Sequence, residues 1–395
     1  MKKGDCRGLL LLCRLSILLS WCTPCSYALH ICFHTNEFNF RGTSVAIYDY
    51  AHYNEELLGH NSSFLVPHQK ETYDGESLPR FKKRFPIHYY TYTIRGELMK
   101  HARALGCDIV YVMKAGLSHH KPAFETAMTC DGPPVSVHGI FSYEPHGAAF
   151  AVLSLEQLKT LKPREFPTMS PEQLDRSWVP HIVVKPTLSD EALSEMQSHD
   201  YRSKFNISST ALVFCRHGGD STFDIPYARD AVCELVQAYD PSRVHFVFLG
   251  TKRWGGCSAG DHPQVHFIHA TYSVLKKEAY FRSCDVMYHA RRGGEMFSVA
   301  IAEASVRNIP VVTEDVPPHQ PVTLAGKSFL YKSKSELLQI CKKFIENGVP
   351  PGDYNGYGEC SPEKVMARFS KVFIEQPLQK RQLGKPGPHE CSGLP

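Results

Sequence analysis

The chain has 395 residues, 43% of them hydrophobic, which is room for two domains of ordinary size with sizeable cores. Its net charge of +4 is mild, and no basic run is interleaved with aromatic residues. This excludes a nucleic-acid binder and leaves the α/β enzyme and binding classes open.

The amino terminus reads as a targeting segment. Lys2, Lys3 and Arg7 precede the apolar run Leu9 to Trp21, and Ser26-Tyr27-Ala28 offers small residues for cleavage. The run is short for a membrane span and is interrupted by Arg14. A cleaved secretory signal over residues 1–28 is the favoured reading, with a Golgi-type signal anchor and an organellar transit peptide as the competing ones. The expected location is the lumen of the secretory pathway or outside the cell, with membrane attachment only if the segment is kept. Four of the 14 cysteines fall in this segment, and the rest show no metal-ligand spacing. Cys32, Cys215 and Cys284 lie in or beside apolar strands and read as small core residues. One or two disulfides suit a lumen, but spacing does not pair them. Asn61-Ser62-Ser63 and Asn206-Ile207-Ser208 are sequons usable in that compartment.

Residues 29–180 read as a first domain. The strand Leu29 to Phe33 leads to Arg41-Gly42-Thr43-Ser44, a helix from Val45 to Gly59 and a strand Ser63 to Pro67. This is the opening of a doubly wound sheet. Gly42, Thr43 and the free amides behind them suit a phosphate or an acceptor oxygen; a plain tight turn is the other reading. A helix over Leu98 to Leu105 precedes strands at Asp108–Met113, Val135–His138 and Ala148–Ser154. His138 ends its strand on the side where open α/β sheets bind ligands, which makes it a candidate contact for donor or acceptor. Leu155 to Asp175 reads as a surface excursion, Val179 to Val183 as an exit strand, and Pro180 to Pro186 as the boundary.

The second domain, 181–360, opens on the strand Ala211 to Cys215, which delivers Arg216 into the glycine turn Gly218-Gly219 before a helix from Ile225 to Tyr239. Lys252 follows the strand Val244 to Gly250; Val265–Ile268 is a strand and Tyr272–Ser283 a helix. The densest stretch runs from Val286 to Thr313. A strand end is followed by His289-Ala290-Arg291-Arg292-Gly293-Gly294, a helix from Glu295 to Asn308 and a buried strand Ile309 to Val312. Gly293 and Gly294 let the backbone approach a ligand, the first helix amides have no partner, and Arg291 and Arg292 add charge: an anion site suited to phosphate. On such a helix Glu295 and Glu303 stand roughly 80° and about 12 Å apart. A strand Ser328–Tyr331, a helix Ser335–Asn347 and an amphipathic helix over 361–376 complete the unit, and residues 377–395 read as a disordered tail. Neither glycine turn has the Gly-x-Gly-x-x-Gly spacing of a dinucleotide enzyme, and there is no Asp-x-Asp metal motif.

The order Gly-Glu-x-Phe-Ser-x-Ala-x-x-Glu-Ala-x5-Pro-Val-Val, carried by Gly294-Glu295, Phe297-Ser298, Glu303-Ala304 and Pro310-Val311-Val312, resembles the donor signature of retaining GT-B glycosyltransferases, family 4 in particular. The resemblance implies an α/β GT-B fold, two Rossmann-like doubly wound domains facing across a cleft. It implies sugar transfer from a UDP- or GDP-sugar, with no cofactor and no metal, to a glycan or glycoconjugate acceptor, with retention. By the same resemblance Glu295 meets the sugar hydroxyls, Glu303 the ribose, and Arg216, Arg291, Gly293 and Gly294 the diphosphate. The family's Lys-Gly pair after the arginine is not evident, so Lys252 or the Arg291-Arg292 pair is expected to supply the second cation. Acceptor contacts are expected from the first domain at Gly42, Thr43 and His138, and the helix over 361–376 is expected to cross back to it. A GT-B-shaped binding protein without turnover and a sugar-nucleotide epimerase are the alternatives.

Overall fold

The computed structural model describes residues 27–68, 77–91, 96–119, 132–258, 262–316 and 326–382. The targeting segment and residues 383–395 lie outside them. Two all-parallel six-stranded sheets carry the fold. The first contains β1 (His30–His34), β2 (Asn61–Pro67), β3 (Ile87–Tyr90), β4 (Ile109–Lys114), β5 (Val135–Gly139) and β6 (Ala149–Val152), in the order β3-β2-β1-β4-β5-β6. The second contains β7 (Leu212–His217), β8 (Val244–Leu249), β9 (Val265–Ile268), β10 (Val286–Tyr288), β11 (Val311–Glu314) and β12 (Ser328–Tyr331), in the order β12-β11-β10-β7-β8-β9. Both have the same doubly wound order, with reversal points between β1 and β4 and between β7 and β10. The near-continuous apolar runs form these strands because both faces are covered by helices.

Helices α1 (Gly42–Glu56), α2 (Ser77–Arg84) and α3 (Glu97–Ala104) serve the first sheet. The stretch expected as an irregular excursion instead folds into α4 (Leu155–Leu161) and α5 (Pro171–Asp175), whose serines are helix caps: Ser154 accepts from the Gln157 amide, and Ser170 closes a capping box with Gln173. Val179 to Val183 is not a strand. An isolated bridge, Val152 to Trp178, ends just before it, and Pro180 cannot donate to a ladder. Around the second sheet stand α6 (Asp190–Gln197), α7 (Tyr201–Lys204), α8 (Pro226–Ala238), α9 (Val274–Ser283), α10 (Val299–Ser305) and α11 (Lys334–Asn347). The helix expected from Glu295 thus begins four residues later: the Ser298 hydroxyl caps it by accepting from the Ile301 amide.

The chain then runs through α12 (Pro362–Phe369), a π-helical stretch (Ser370–Glu375) and α13 (Gln376–Gln382). The disordered tail expected from Pro377 is therefore helical to Gln382, with Pro377 buried and Lys380 donating to the Ala148 carbonyl. Phe369 stacks on Tyr50 of α1 at 5.1 Å, and the Ser136 hydroxyl of β5 donates to the Phe373 carbonyl at 2.7 Å. The carboxyl-terminal helices are thereby packed into the core of the first sheet.

Cys32 and Cys215 are buried as expected, but they are also bonded: Cys32 to Cys107, Cys215 to Cys284 and Cys233 to Cys257. Parallel neighbours explain two of the pairs, since β1 lies beside β4 just after Cys107, and β7 beside β10 just after Cys284. Cys341 and Cys360 are buried and free.

Phe369 is fully buried between the first sheet and the crossing helix. Phe369→Ala is expected to lower unfolding stability by about 3–5 kcal/mol with little change in denaturant slope. Urea titration checks this, and a loss below about 1 kcal/mol would mean the crossing helix contributes little.

Candidate functional site

Where the carboxyl ends of the two sheets face each other lies a cavity of about 630 Å³. From the second sheet it is lined by His217, Gly218 and Gly219 after β7, by Arg291 and Gly293 to Glu295 after β10, and by Lys277 of α9 and Glu303 of α10. From the first sheet come Phe40, Arg41, Gly42, Thr43, Phe141 and, between the sheets, His181.

Arg216 does not line the cavity; it lies beneath the wall. It is 2% exposed, and its guanidinium donates to the Thr251 hydroxyl at 2.5 Å, to the Gly219 carbonyl at 3.0 Å and to the Thr222 hydroxyl. Its Nε has no partner, and no carboxylate forms an ion pair with it among the described residues. Burial pulls the guanidinium down to about 10, against the opposing influence of Tyr280, Glu295, Asp224 and Asp220, so it stays charged at neutral pH. Gly218 has φ +140°, and a Cβ there would meet the guanidinium at 3.1 Å, so glycine is what allows the turn to close over the charge.

Glu295 sits in the loop between Gly294 and the Ser298 cap, so the helical spacing expected for the two glutamates does not hold. Its side chain is 31% exposed and lies 3.7 Å from His289 Nε2. Burial pushes the carboxyl up, but His289, the Ser298 hydroxyl and Arg216 outweigh it and leave it below its ordinary value. Gly293 and Gly294 adopt φ +73° and +66°, a left-handed pair that turns the backbone into the cavity ahead of α10. The expected anion site on the α10 amides is not formed at the glycines, because residues 295–298 intervene.

Arg291 reaches the cavity but is tied to Asp224 at 2.5 Å, and the Arg292 amide donates to the same carboxylate at 2.7 Å. Lys252 is exposed and away from the cavity lining; its amide donates to the Asp220 carbonyl. His138 is also displaced from its expected role. It is fully buried, its Nδ1 pairs with the Tyr111 hydroxyl at 2.7 Å, and Phe373 lies against the ring at 5.1 Å. Burial drives it down to about 3, so it is a neutral core histidine covered by the crossing helix. Gly42 opens α1 and faces the other sheet: a Cβ there would meet Val299 Cγ2 at 3.3 Å. Thr43 follows it on the cavity wall, and α1 has no side-chain cap, so its first amides open on the cavity.

Glu303 is not on a solvated face. Its Oε2 accepts from His217 Nε2 at 2.7 Å and its Oε1 from Lys277 Nζ at 2.5 Å. Burial alone pushes this carboxyl up, yet Lys277 and the His217 hydrogen bond hold it down at about 2. Burial pulls His217 down to about 4 in spite of Glu303, so its ring is neutral. Neither His217 nor Lys277 stood out in the sequence. The strand-end rule that singled out His138 applies equally to His217, whereas nothing in the spacing marks Lys277.

No protein-family model and no curated protein sequence matches the chain. Solved structures do. A glycosyltransferase from Rickettsia africae aligns over 90% of this chain and 97% of its own at TM-score 0.57 and 11% identity. Anabaena HepE in complex with UDP-glucose aligns over 90% and 99% at 0.51 and 15%. A Listeria monocytogenes protein assigned as a UDP-N-acetylglucosamine 2-epimerase aligns over 88% and 97% at 0.53 and 12%. The fold is GT-B. Two Rossmann-like halves meet at a GT-B cleft, and of the expected residues Gly42, Thr43, Arg291, Gly293, Gly294, Glu295 and Glu303 line the cavity there.

The His217–Glu303 pair sets an acid sensitivity. The unfolded chain protonates His217 at about 6.5 and the folded chain at about 4, so stability is lost as pH falls through that interval. Glu303 titrates at 4.5 unfolded and about 2 folded, so its contribution is present above 4.5 and lost as pH falls towards 2. Glu303→Gln is expected to flatten the profile below pH 4.5, and His217→Phe the part between 6.5 and 4. Urea midpoints against pH check this; profiles parallel to wild type would remove the pair from the account.

Proposed function

We propose that the chain is a metal-independent glycosyltransferase that moves a hexosyl group from a UDP- or GDP-sugar to a hydroxyl of a glycan or glycoconjugate, with retention at the anomeric carbon. One observation carries the reading: a buried guanidinium with no carboxylate in direct contact, Arg216, lies under a glycine turn that lines one cavity together with the Gly293-Gly294-Glu295 turn of the neighbouring strand. A nucleotide diphosphate adds a counter-charge closer than Glu295, Asp224 and Asp220 provide.

As the bond to the sugar breaks, negative charge grows on the leaving diphosphate. Arg216, the backbone of the Gly218-Gly219 turn and Arg291 are placed to stabilise it, with Asp224 setting how far Arg291 contributes. Glu295 takes the sugar hydroxyls: it is a cavity carboxylate beside the Gly293-Gly294 turn, partly open to a ligand and held below its ordinary value by His289 and Ser298. The acceptor approaches from Gly42, Thr43 and the uncapped α1 amides. HepE, a protein of the same fold, is seen with UDP-glucose, which supports a nucleotide-sugar donor here.

Purified protein should release nucleotide from one member of a UDP-, GDP- and ADP-sugar panel, and Glu295→Ala or Arg216→Ala should lower that turnover by about 10²-fold or more. Conversion of the sugar nucleotide without nucleotide release would favour the epimerase reading, for which the Listeria neighbour gives structural precedent. Binding without either would leave a carbohydrate-binding protein. Failure to bind any donor would overturn the site.

The three cysteine pairs, the targeting segment and two exposed sequon asparagines support a lumen of the secretory pathway or secretion. Asn61 opens β2 and Asn206 precedes β7, so both lie at the strand ends opposite the cleft, where glycans leave it clear. Endoglycosidase treatment of protein from a eukaryotic host should shift its mobility, and Asn61→Gln with Asn206→Gln should abolish the shift; an unshifted protein with reduced cysteines would contradict this location.

A further inference from the structure

Both oxygens of Glu303 are already engaged, Oε1 by Lys277 and Oε2 by His217, in a side chain only 13% exposed. Its two partners, by contrast, have unused capacity. A lysine ammonium carries three donors, and Lys277 gives one to Glu303 while its side chain stays 26% exposed on the cavity wall. His217 donates Nε2–H to the carboxylate, which fixes its tautomer and leaves Nδ1 as a bare acceptor. That Nδ1 is buried with no hydrogen-bond partner, on a side chain 7% exposed that lines the same cavity. An orphaned acceptor of this kind costs stability until a donor reaches it. The ring cannot swing away to find one, because Tyr280 and Phe281 pack edge-on against it at 5.8 and 5.1 Å.

We propose that Lys277 and His217, rather than Glu303, make the direct contacts to the nucleotide at this end of the cleft. Lys277 donates to a diphosphate oxygen, and His217 Nδ1 accepts from a ribose hydroxyl. Glu303 is a positioning residue that holds the ammonium in place and sets the histidine tautomer. This corrects the role that resemblance alone gives Glu303, and it rests on the donor-site reading above. It also supplies a lysine to the phosphate subsite from α9, an element unrelated to the turn that follows Arg216.

The test is calorimetric titration of the full chain with UDP, GDP and ADP, the matching nucleosides, and the 2′-deoxy and 3′-deoxy forms of the diphosphate that binds best. Lys277→Met should weaken the diphosphate about tenfold or more while leaving the nucleoside within about twofold, and Lys277→Arg should recover most of the loss. Wild type should bind one deoxy form about tenfold more weakly than the ribonucleotide, and His217→Phe, which keeps the ring contacts, should bring that ratio close to one. The ratio is internal to each variant, so partial unfolding does not mimic the effect. Discrimination that survives His217→Phe and disappears in Glu303→Gln would return ribose recognition to Glu303 and overturn the inference. So would a wild type that binds the deoxy and ribo forms alike, or a Lys277→Met variant with unchanged diphosphate affinity. A wild type that binds none of the three diphosphates overturns the donor reading itself.

Discussion

A guanidinium buried without a carboxylate is an expensive object, and the second half of this molecule is arranged to keep one. Arg216 gives its protons to neutral oxygens only, from Thr251, Gly219 and Thr222, so its hydrogen bonding is mostly satisfied while Glu295, Asp224 and Asp220 act on its charge without touching it. The same groups shape the cavity wall. Gly219 and Thr222 belong to the turn after β7, and Thr251 follows β8, so the arginine fixes the spacing of two strand ends. An anion arriving above Gly218 finds a field already oriented towards it, in surroundings that screen it less than water does.

The opposing half closes the cleft with short contacts. Gly42 lies against Val299, where a Cβ would come within 3.3 Å of Cγ2. Phe40 stacks on Tyr272 at 4.2 Å, and the Tyr272 hydroxyl donates to the Asn39 carbonyl at 2.7 Å. Phe297 packs edge-on against His181 at 5.1 Å. With the carboxyl-terminal helices crossing to the first sheet, these contacts hold the α1 amides opposite the Gly293-Gly294 turn. The buried guanidinium therefore belongs to one half, and the uncapped α1 end that faces it to the other.

Much of this was legible in the chain. Apolar runs marked eleven of the twelve strands, because parallel strands covered on both faces leave a strong signal. The edge strand β3, Ile-His-Tyr-Tyr, is half-buried and lacks that signal. Glu295 and the glycine pair were legible through their order with Phe297, Ser298 and the following proline. The start of α10 was misplaced because Ser298, a capping residue, was absorbed into a helix that its own hydroxyl in fact begins. His138 misled for a related reason: a strand-end histidine points to a cleft only if nothing crosses over it, and Phe373 comes from more than two hundred residues downstream. Lys277 was invisible for the same reason, since a lysine on an ordinary helix acquires meaning only from Glu303 and His217 beside it. Disulfide pairing likewise needed the strand neighbours.

The account's central claim is that one anionic nucleotide site is built from the β7 and β10 turns over Arg216. Hydrogen exchange followed by mass spectrometry, with and without saturating UDP or GDP, tests it most directly. The account predicts slowed exchange concentrated in residues 216–222 and 291–300, with β3, β12 and α11 unchanged. Binding accompanied by protection elsewhere and none in these two turns would contradict it.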